Sequence, residues 1–334
     1  MLAWVLERQD TWSKQPIRLM EWKRPIPLPN QVLVRVSSCA ICRTDLHIME
    51  GDLPSHKLPL ILGHQIIGVV ENVGSNVIEP KPGERVGIPW LHWTDGTCSF
   101  CRKGQENLCM NARFTGYDVD GGFAEYCLGE ASFVIRIPAD LEDRDVAPML
   151  CGGVIGYRAF RRTQINAGDT LTLYGFGASA HLILQLAVAK GIRVFVRSRG
   201  DERLVFAHKL GAAWVGDYSA LLPDLSDAGI IFAPDGKIVP IALADLRRGG
   251  RLILAGIHMS QIPSLPYTLL FDEKMVQSVA HSNRSDAAAF LEEARSCSIH
   301  PQVQPFTFAD LPQAVQCLAT GRLLGTAIVD IGSC

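Results

Sequence analysis

Three side chains far apart in the sequence, Cys42, His64 and Cys151, make up the donor set of a metal site. Cys42 opens the string C-R-T-D-L-H, His64 sits in G-H-Q at Gly63 to Gln65, and Cys151 sits in M-L-C-G-G at Met149 to Gly153. Two thiolates and an imidazole suit zinc, and three protein ligands leave a fourth tetrahedral position open. A substrate oxygen needs that position if the metal is to act on it as a Lewis acid. Downstream, Gly175-Phe176-Gly177-Ala178-Ser179-Ala180 follows a short apolar run and opens a helical one. In that setting Gly175 permits the tight turn, Gly177 lets backbone approach a pyrophosphate, and Ala180 lets helix and strand pack closely. The N–H groups of Ala178, Ser179 and Ala180 then face the phosphates from the helix N-terminus. An ordinary strand-to-helix turn is the other reading of the same glycines. Zinc with a nicotinamide dinucleotide points to hydride transfer between an alcohol and a carbonyl compound.

A second cluster, Asp95, Cys98, Cys101 and Cys109, is compact in sequence. Three thiolates and a carboxylate would close a tetrahedral zinc, as structural sites do. A reduced cysteine cluster without metal is the alternative. Cofactor choice turns on the strand Ile192 to Arg197, which ends Val196-Arg197-Ser198-Arg199. NAD binders place an acidic residue about 20 residues beyond the glycines. Here Ser198 stands between two guanidiniums, a setting that favours the 2′-phosphate of NADP(H) over NAD(H). Solvated surface charge is the other reading of Arg197 and Arg199.

These residues need a scaffold, and the chain is long enough for one. Its 334 residues suggest about two domains, and 48% hydrophobic content can fill large cores. A formal charge of −2 argues against nucleic acid or an anionic membrane as partner. The start, Met1 to Arg8, shows no secretory pattern, and no run approaches the roughly 18 apolar residues of a membrane span. Of ten cysteines, five lie in metal-like spacings, so a reducing compartment is expected, the cytoplasm by default. Cys127, Cys297, Cys317 and Cys334 read as ordinary thiols. His92, His181, His258, His281 and His300 carry no ligand spacing. Val32, Val34 and Val36 alternate as in a half-buried strand, Gly68 to Val73 reads as another, and Gly121-Gly122 marks a turn into a third. After about residue 155, strands at Thr170 to Tyr174, Ile192 to Arg197, Gly229 to Ala233, Leu252 to Ala255 and Val276 to Ala280 alternate with helices. That texture predicts an α/β fold with a doubly wound parallel sheet beside a β-rich domain.

Across nearly the whole chain these motifs resemble the zinc-containing alcohol dehydrogenases of the medium-chain dehydrogenase/reductase superfamily. The match extends through G-G-F-A-E-Y to Gly321-Arg322-Leu323-Leu324-Gly325. The resemblance implies a GroES-like catalytic domain from residues 1–154 and 283–334, with a Rossmann domain at 155–282. It implies Cys42, His64 and Cys151 as catalytic zinc ligands, and Asp95, Cys98, Cys101 and Cys109 as the lobe that holds a second, structural zinc. It implies Thr44 and His47 as a proton relay and Asp45 as the carboxylate orienting His64. Trp90 and Leu91 fall where the family lines its substrate pocket, although core packing would also suit them. Relatives are commonly dimers or tetramers, so a homo-oligomer is expected, with a small alcohol or aldehyde as substrate. The chain departs from the family at Gln65, usually glutamate, at Asp95, usually cysteine, at Ser198, usually acidic, and at Thr326, often basic. Two alternatives stand beside this reading: a reductase of the same fold acting on quinones or enones, and a non-catalytic relative. The zinc-free reductases lack the trio.

Overall fold

The computed structural model describes residues 1–332, so Cys334 lies outside the described residues. The chain divides into two compact units. The first comprises Met1–Gly152, His281–Leu291 and the residues from Gln302 onward. The second comprises Gly153–Ala280 and Glu292–Pro301. The expected boundaries differ from this division chiefly at 292–301. The physical reason is side-chain partners within the second unit: Glu293 accepts from Tyr157 Oη at 3.0 Å and pairs with Lys190 at 2.5 Å, and Gln185 Nε2 donates to the His300 carbonyl at 2.9 Å.

In the first unit the strand Gln31–Ile41 is the axis. Its valines alternate inward, and its last four residues are buried on both faces. It pairs antiparallel with Ile66–Val73, with Tyr126–Glu130 and with Thr326–Asp330. The last of these runs parallel to Val303–Thr307, a strand the alternation pattern did not predict. Arg85–Ile88 and Ile135–Arg136 complete a seven-stranded sheet. A smaller sheet joins Ile17–Glu21, Leu2–Leu6 and Leu60–Ile61. One core binds both, running from Val5 and Leu6 through Val34, Ile66 and Phe123 to Val329.

The second unit is a six-stranded parallel sheet in the order Trp214–Gly216, Arg193–Arg197, Thr170–Tyr174, Ser226–Ile231, Leu246–Leu254, Met275–Ser278. That is the doubly wound order of a dinucleotide-binding fold, with a reversal beside the first strand. Thr170–Tyr174 is buried at every position. Helices Ala180–Ala189, Asp201–Lys209 and Ile238–Ala244 form the crossovers. No helix among the described residues is long and apolar enough to cross a membrane.

Each unit buries one neutral histidine. Burial, aided by Arg113, pushes His92 down to about 4, and burial does the same to His181 against opposing backbone contacts. Both lie below the unfolded value of about 6.5, so unfolding takes up protons as pH falls. Their stability contribution is whole above about pH 6.5 and is lost as pH drops toward 4. Between pH 7 and pH 5 each should cost about 2 kcal/mol of unfolding free energy. Urea titrations of His181→Gln and His92→Asn at both pH values should each show a pH-dependent loss smaller than the parent's by about that amount.

Candidate active site

The strand Gln31–Ile41 ends one residue before Cys42, which caps the helix Arg43–Glu50. Asp45, three residues on, completes the cap: its Oδ2 accepts the Cys42 N–H at 2.9 Å. Its Oδ1 accepts from Gly63 N at 3.2 Å and from His64 Nδ1 at 3.1 Å. In the neutral form of His64, Nδ1 donating to Asp45 leaves the ring's lone pair on Nε2. That nitrogen is 3.2 Å from Cys42 Sγ, and Cys42 Sγ is 3.9 Å from Cys151 Sγ. Gly63 has φ +94, and a Cβ there would stand 2.9 Å from Cys39 Sγ and Phe123 Cδ1. Only glycine lets the chain bring His64 in beside Cys42. Cys151 comes from a π-helical turn, Met149–Gly153, between Asp143–Pro148 and Val154–Thr163. Such one-turn bulges recur at functional sites because they re-aim a side chain.

The donor atoms of Cys42, His64 and Cys151 all lie within 4.8 Å of one another. Two sulfurs on one tetrahedral zinc are about 3.8 Å apart, given a bond of about 2.3 Å. The observed separation fits that edge and far exceeds a disulfide. Without metal the cluster shares protons. The Cys151 thiol, donating to Cys42, holds Cys42 well below its ordinary range and is itself pushed up. Burial disfavours a charged His64, but the neighbouring Asp45 and Cys42 outweigh it and raise the imidazole to about 10. Thr44 is buried, and its hydroxyl reaches the Cys42 sulfur. His47 lies one turn further along the same helix face, its Nδ1 2.7 Å from Asp52 Oδ2. Asp52 was not singled out in the sequence; a carboxylate five residues beyond His47 was the only signal. Gln65 is buried, and its Nε2 has no partner among the described residues. Trp90 meets the His64 ring edge-on, while Leu91 is buried in its pairing with Phe114.

In the lobe, Asp95, Cys98, Cys101 and Cys109 also bring their donor atoms within 4.8 Å. Asp95 Oδ1 accepts from Thr97 N and Cys98 N at 2.9 Å each, and Oδ2 accepts from Asn111 Nδ2 at 2.9 Å. These donors hold the carboxyl far below the usual range, so it is an anion in place. Three of the carboxylate's roughly four lone-pair sites are thus taken, and the one left on Oδ2 can make a ligand bond.

In the second unit the glycine turn runs from Tyr174 to the helix Ala180–Ala189. Gly175 has φ +86, and a Cβ there would strike Ala233 at 2.9 Å. Gly177 faces open space, and its carbonyl accepts from His181 Nδ1 at 3.1 Å. Arg197 overturns one expectation. It is buried, with Nε and Nη2 on the two Asp245 oxygens at 2.9 and 3.1 Å. Nη1 donates to the Asp217 and Ala220 carbonyls at 2.8 and 2.7 Å. With four of its five N–H groups engaged and the side chain buried, the guanidinium presents no open fork to a phosphate. Its role is to tie the strand ends together. Ser198 is buried too, its hydroxyl 3.4 Å from the Arg199 carbonyl. Arg199 is the exposed cation of the pair, 3.4 Å from Asp235.

Residues 28–139 match the alcohol dehydrogenase GroES-like domain family. The chain is 42% identical over 335 residues to a probable alcohol dehydrogenase, AdhA, of Mycobacterium tuberculosis, covering 98% of this chain and 97% of that one. It is 34% identical over 333 residues to an alcohol dehydrogenase of Geobacillus stearothermophilus, covering 95% and 97%. Its fold superposes on a cinnamyl alcohol dehydrogenase from Sorghum bicolor with a TM-score of 0.91 at 24% identity, covering 99% and 98%. The chain belongs to the zinc-type alcohol dehydrogenases of the medium-chain superfamily.

Proposed function

We propose that this alcohol dehydrogenase works with a catalytic zinc held by Cys42, His64 and Cys151 and with NADP(H) as the favoured nicotinamide cofactor. The observation that carries the reading is the convergence of two thiols and one imidazole around a single point, with Asp45 fixing the imidazole tautomer. Bound there, zinc would supply Lewis-acid polarisation of the substrate oxygen, and the nicotinamide would supply the hydride acceptor or donor. The protein's own part is proton movement and orientation. Thr44 Oγ1, beside Cys42, is placed to take the alcohol proton, and His47, tied by Nδ1 to Asp52, to pass it to solvent. An intact ligand trio disfavours both the quinone or enone reductase and the non-catalytic reading.

The lobe residues Asp95, Cys98, Cys101 and Cys109 fit a second, structural zinc. Arg199, exposed at the end of Arg193–Arg197, is the residue for a 2′-phosphate, with Arg197 removed from that role. The sheet edge Met275–Ser278 carries exposed Met275 and Val276, near exposed Tyr267 and Phe271 in sequence. An open edge with apolar cover supports a second copy of the chain as partner.

Cys42→Ala, His64→Ala and Cys151→Ala should each abolish turnover and lower zinc content by about one per chain, while NADPH titration is unchanged. Any of the three retaining full activity would sink the assignment. Freshly prepared parent should contain two zinc ions per chain. Asp95→Ala should lower the melting temperature more than kcat, and Asp95→Cys should slow zinc loss to a chelator. Arg199→Ala should weaken NADPH binding about tenfold and NADH hardly at all, since one charge-assisted hydrogen bond is worth about 1.5–3 kcal/mol. Arg197→Ala should instead destabilise the fold by about 3 kcal/mol, because it removes a buried guanidinium that pairs Asp245 and holds two backbone carbonyls. Equal affinity of the parent for both reduced cofactors would refute the preference.

A further inference from the structure

Trp90 sits at the centre of contacts that the proposed chemistry leaves unused. Its indole meets His64 edge-on, with centroids 5.0 Å apart and planes at 73°. Phe114 stacks on it at 4.9 Å, and Tyr117 lies nearly parallel at 6.0 Å. The indole has one hydrogen to give, and Nε1 gives it to Nδ1 of His281 at 3.0 Å. Indole nitrogen only donates, so Nδ1 must hold a lone pair and the ring proton of His281 lies on Nε2.

His281 is itself held in place. Its φ of +53 is a left-handed conformation, uncommon outside glycine, that histidine and asparagine adopt more readily than most side chains. Two residues on, Asn283 Nδ2 donates to the Gly104 carbonyl at 3.1 Å. Asn283 Oδ1 caps the helix Arg284–Ser296 by accepting from Asp286 N at 2.8 Å. Arg284 grips Glu106 through its backbone N–H, Nε and Nη2 at 2.7 to 3.1 Å. Gly104 and Glu106 lie in the lobe between Cys101 and Cys109. The segment 281–284 is thus anchored on the lobe at one end and presents His281 to Trp90 at the other.

We propose that His281 is a positioning residue for substrate selection: it fixes the Trp90 indole against His64 and so limits the bulk of the alcohol accepted beside that imidazole. The inference rests on reading His64 as a catalytic zinc ligand. Freed of its acceptor, the indole can turn about its side-chain bonds and vacate space next to His64. Restoring an acceptor at the Nδ1 position should restore the wall. Asparagine does so and also tolerates a left-handed backbone.

The test compares parent, His281→Leu, His281→Asn and Trp90→Phe, each with zinc content measured, on ethanol and on 1-phenylethanol. The readout is the ratio of kcat/KM for the bulky alcohol to that for ethanol. His281→Leu and Trp90→Phe should each raise it about fivefold or more, the scale of one lost neutral hydrogen bond, chiefly through a lower KM for 1-phenylethanol. His281→Asn should stay within about twofold of the parent, and the Leu/Phe double variant should exceed neither single. If His281→Leu does not fold, Trp90→Phe against His281→Asn carries the comparison alone. An unchanged ratio in Trp90→Phe overturns the proposal, as does His281→Asn behaving like the Leu variant, which would make volume rather than the hydrogen bond the cause. Failure of the underlying reading looks different: His64→Ala would then keep full zinc and full turnover.

Discussion

The carboxylate of Asp45 is the interaction on which the arrangement of Cys42 and His64 depends. It accepts hydrogen bonds from Cys42 N, Gly63 N and His64 Nδ1, and so joins the start of its own helix to the Gly63-His64 loop at one buried point. Burial raises the cost of its charge and pushes its pKa up, and the adjacent imidazole offsets only part of that cost. A single residue therefore starts a helix, fixes a loop and chooses which imidazole nitrogen faces the sulfurs. Each of those tasks could be done separately. Combining them means that the ligand geometry cannot drift without also undoing the helix start.

A comparable junction organises the second unit. Asp245 receives Arg197 from one strand end and the Tyr174 hydroxyl from the strand beside it, at 2.8 Å. The same guanidinium holds the carbonyls of Asp217 and Ala220. The carboxyl ends of neighbouring parallel strands are thereby locked together next to the glycine turn, where this class of sheet receives its ligands. In both units an aspartate, paired and hydrogen-bonded, spaces the backbone around the place where chemistry is expected.

Much of this was legible in the amino-acid sequence, and the limits have physical causes. Thr170–Tyr174 is buried at every position and stands out as a short apolar run with a glycine turn behind it. The ligand trio stands out because cysteine and histidine have few reasons to recur in such strings. Arg197 misled because a strand-end arginine looks alike whether it faces solvent or turns back to an aspartate 48 residues away. Its alternation is the only hint: Val196 and Arg197 point to opposite faces, and here both faces are covered. Val303–Thr307 was missed because Pro305 interrupts it, which only an edge strand tolerates. His281 carried no signal at all, since its partner Trp90 lies 191 residues back.

The pairing of Gln31–Ile41 with Thr326–Asp330 bears on how the molecule is made. Ala327 stands opposite Ile41, so the strand that delivers Cys42 leaves one edge of its last residues unpaired until Thr326–Asp330 has left the ribosome. By then Gly153–Ala280, an uninterrupted stretch, can already have folded by itself. The order of synthesis thus completes the dinucleotide-type sheet first and the catalytic sheet last. A nascent chain stalled before residue 326 would hold Cys42, His64 and Cys151 on a scaffold that still has an open, apolar strand edge for chaperones to cover.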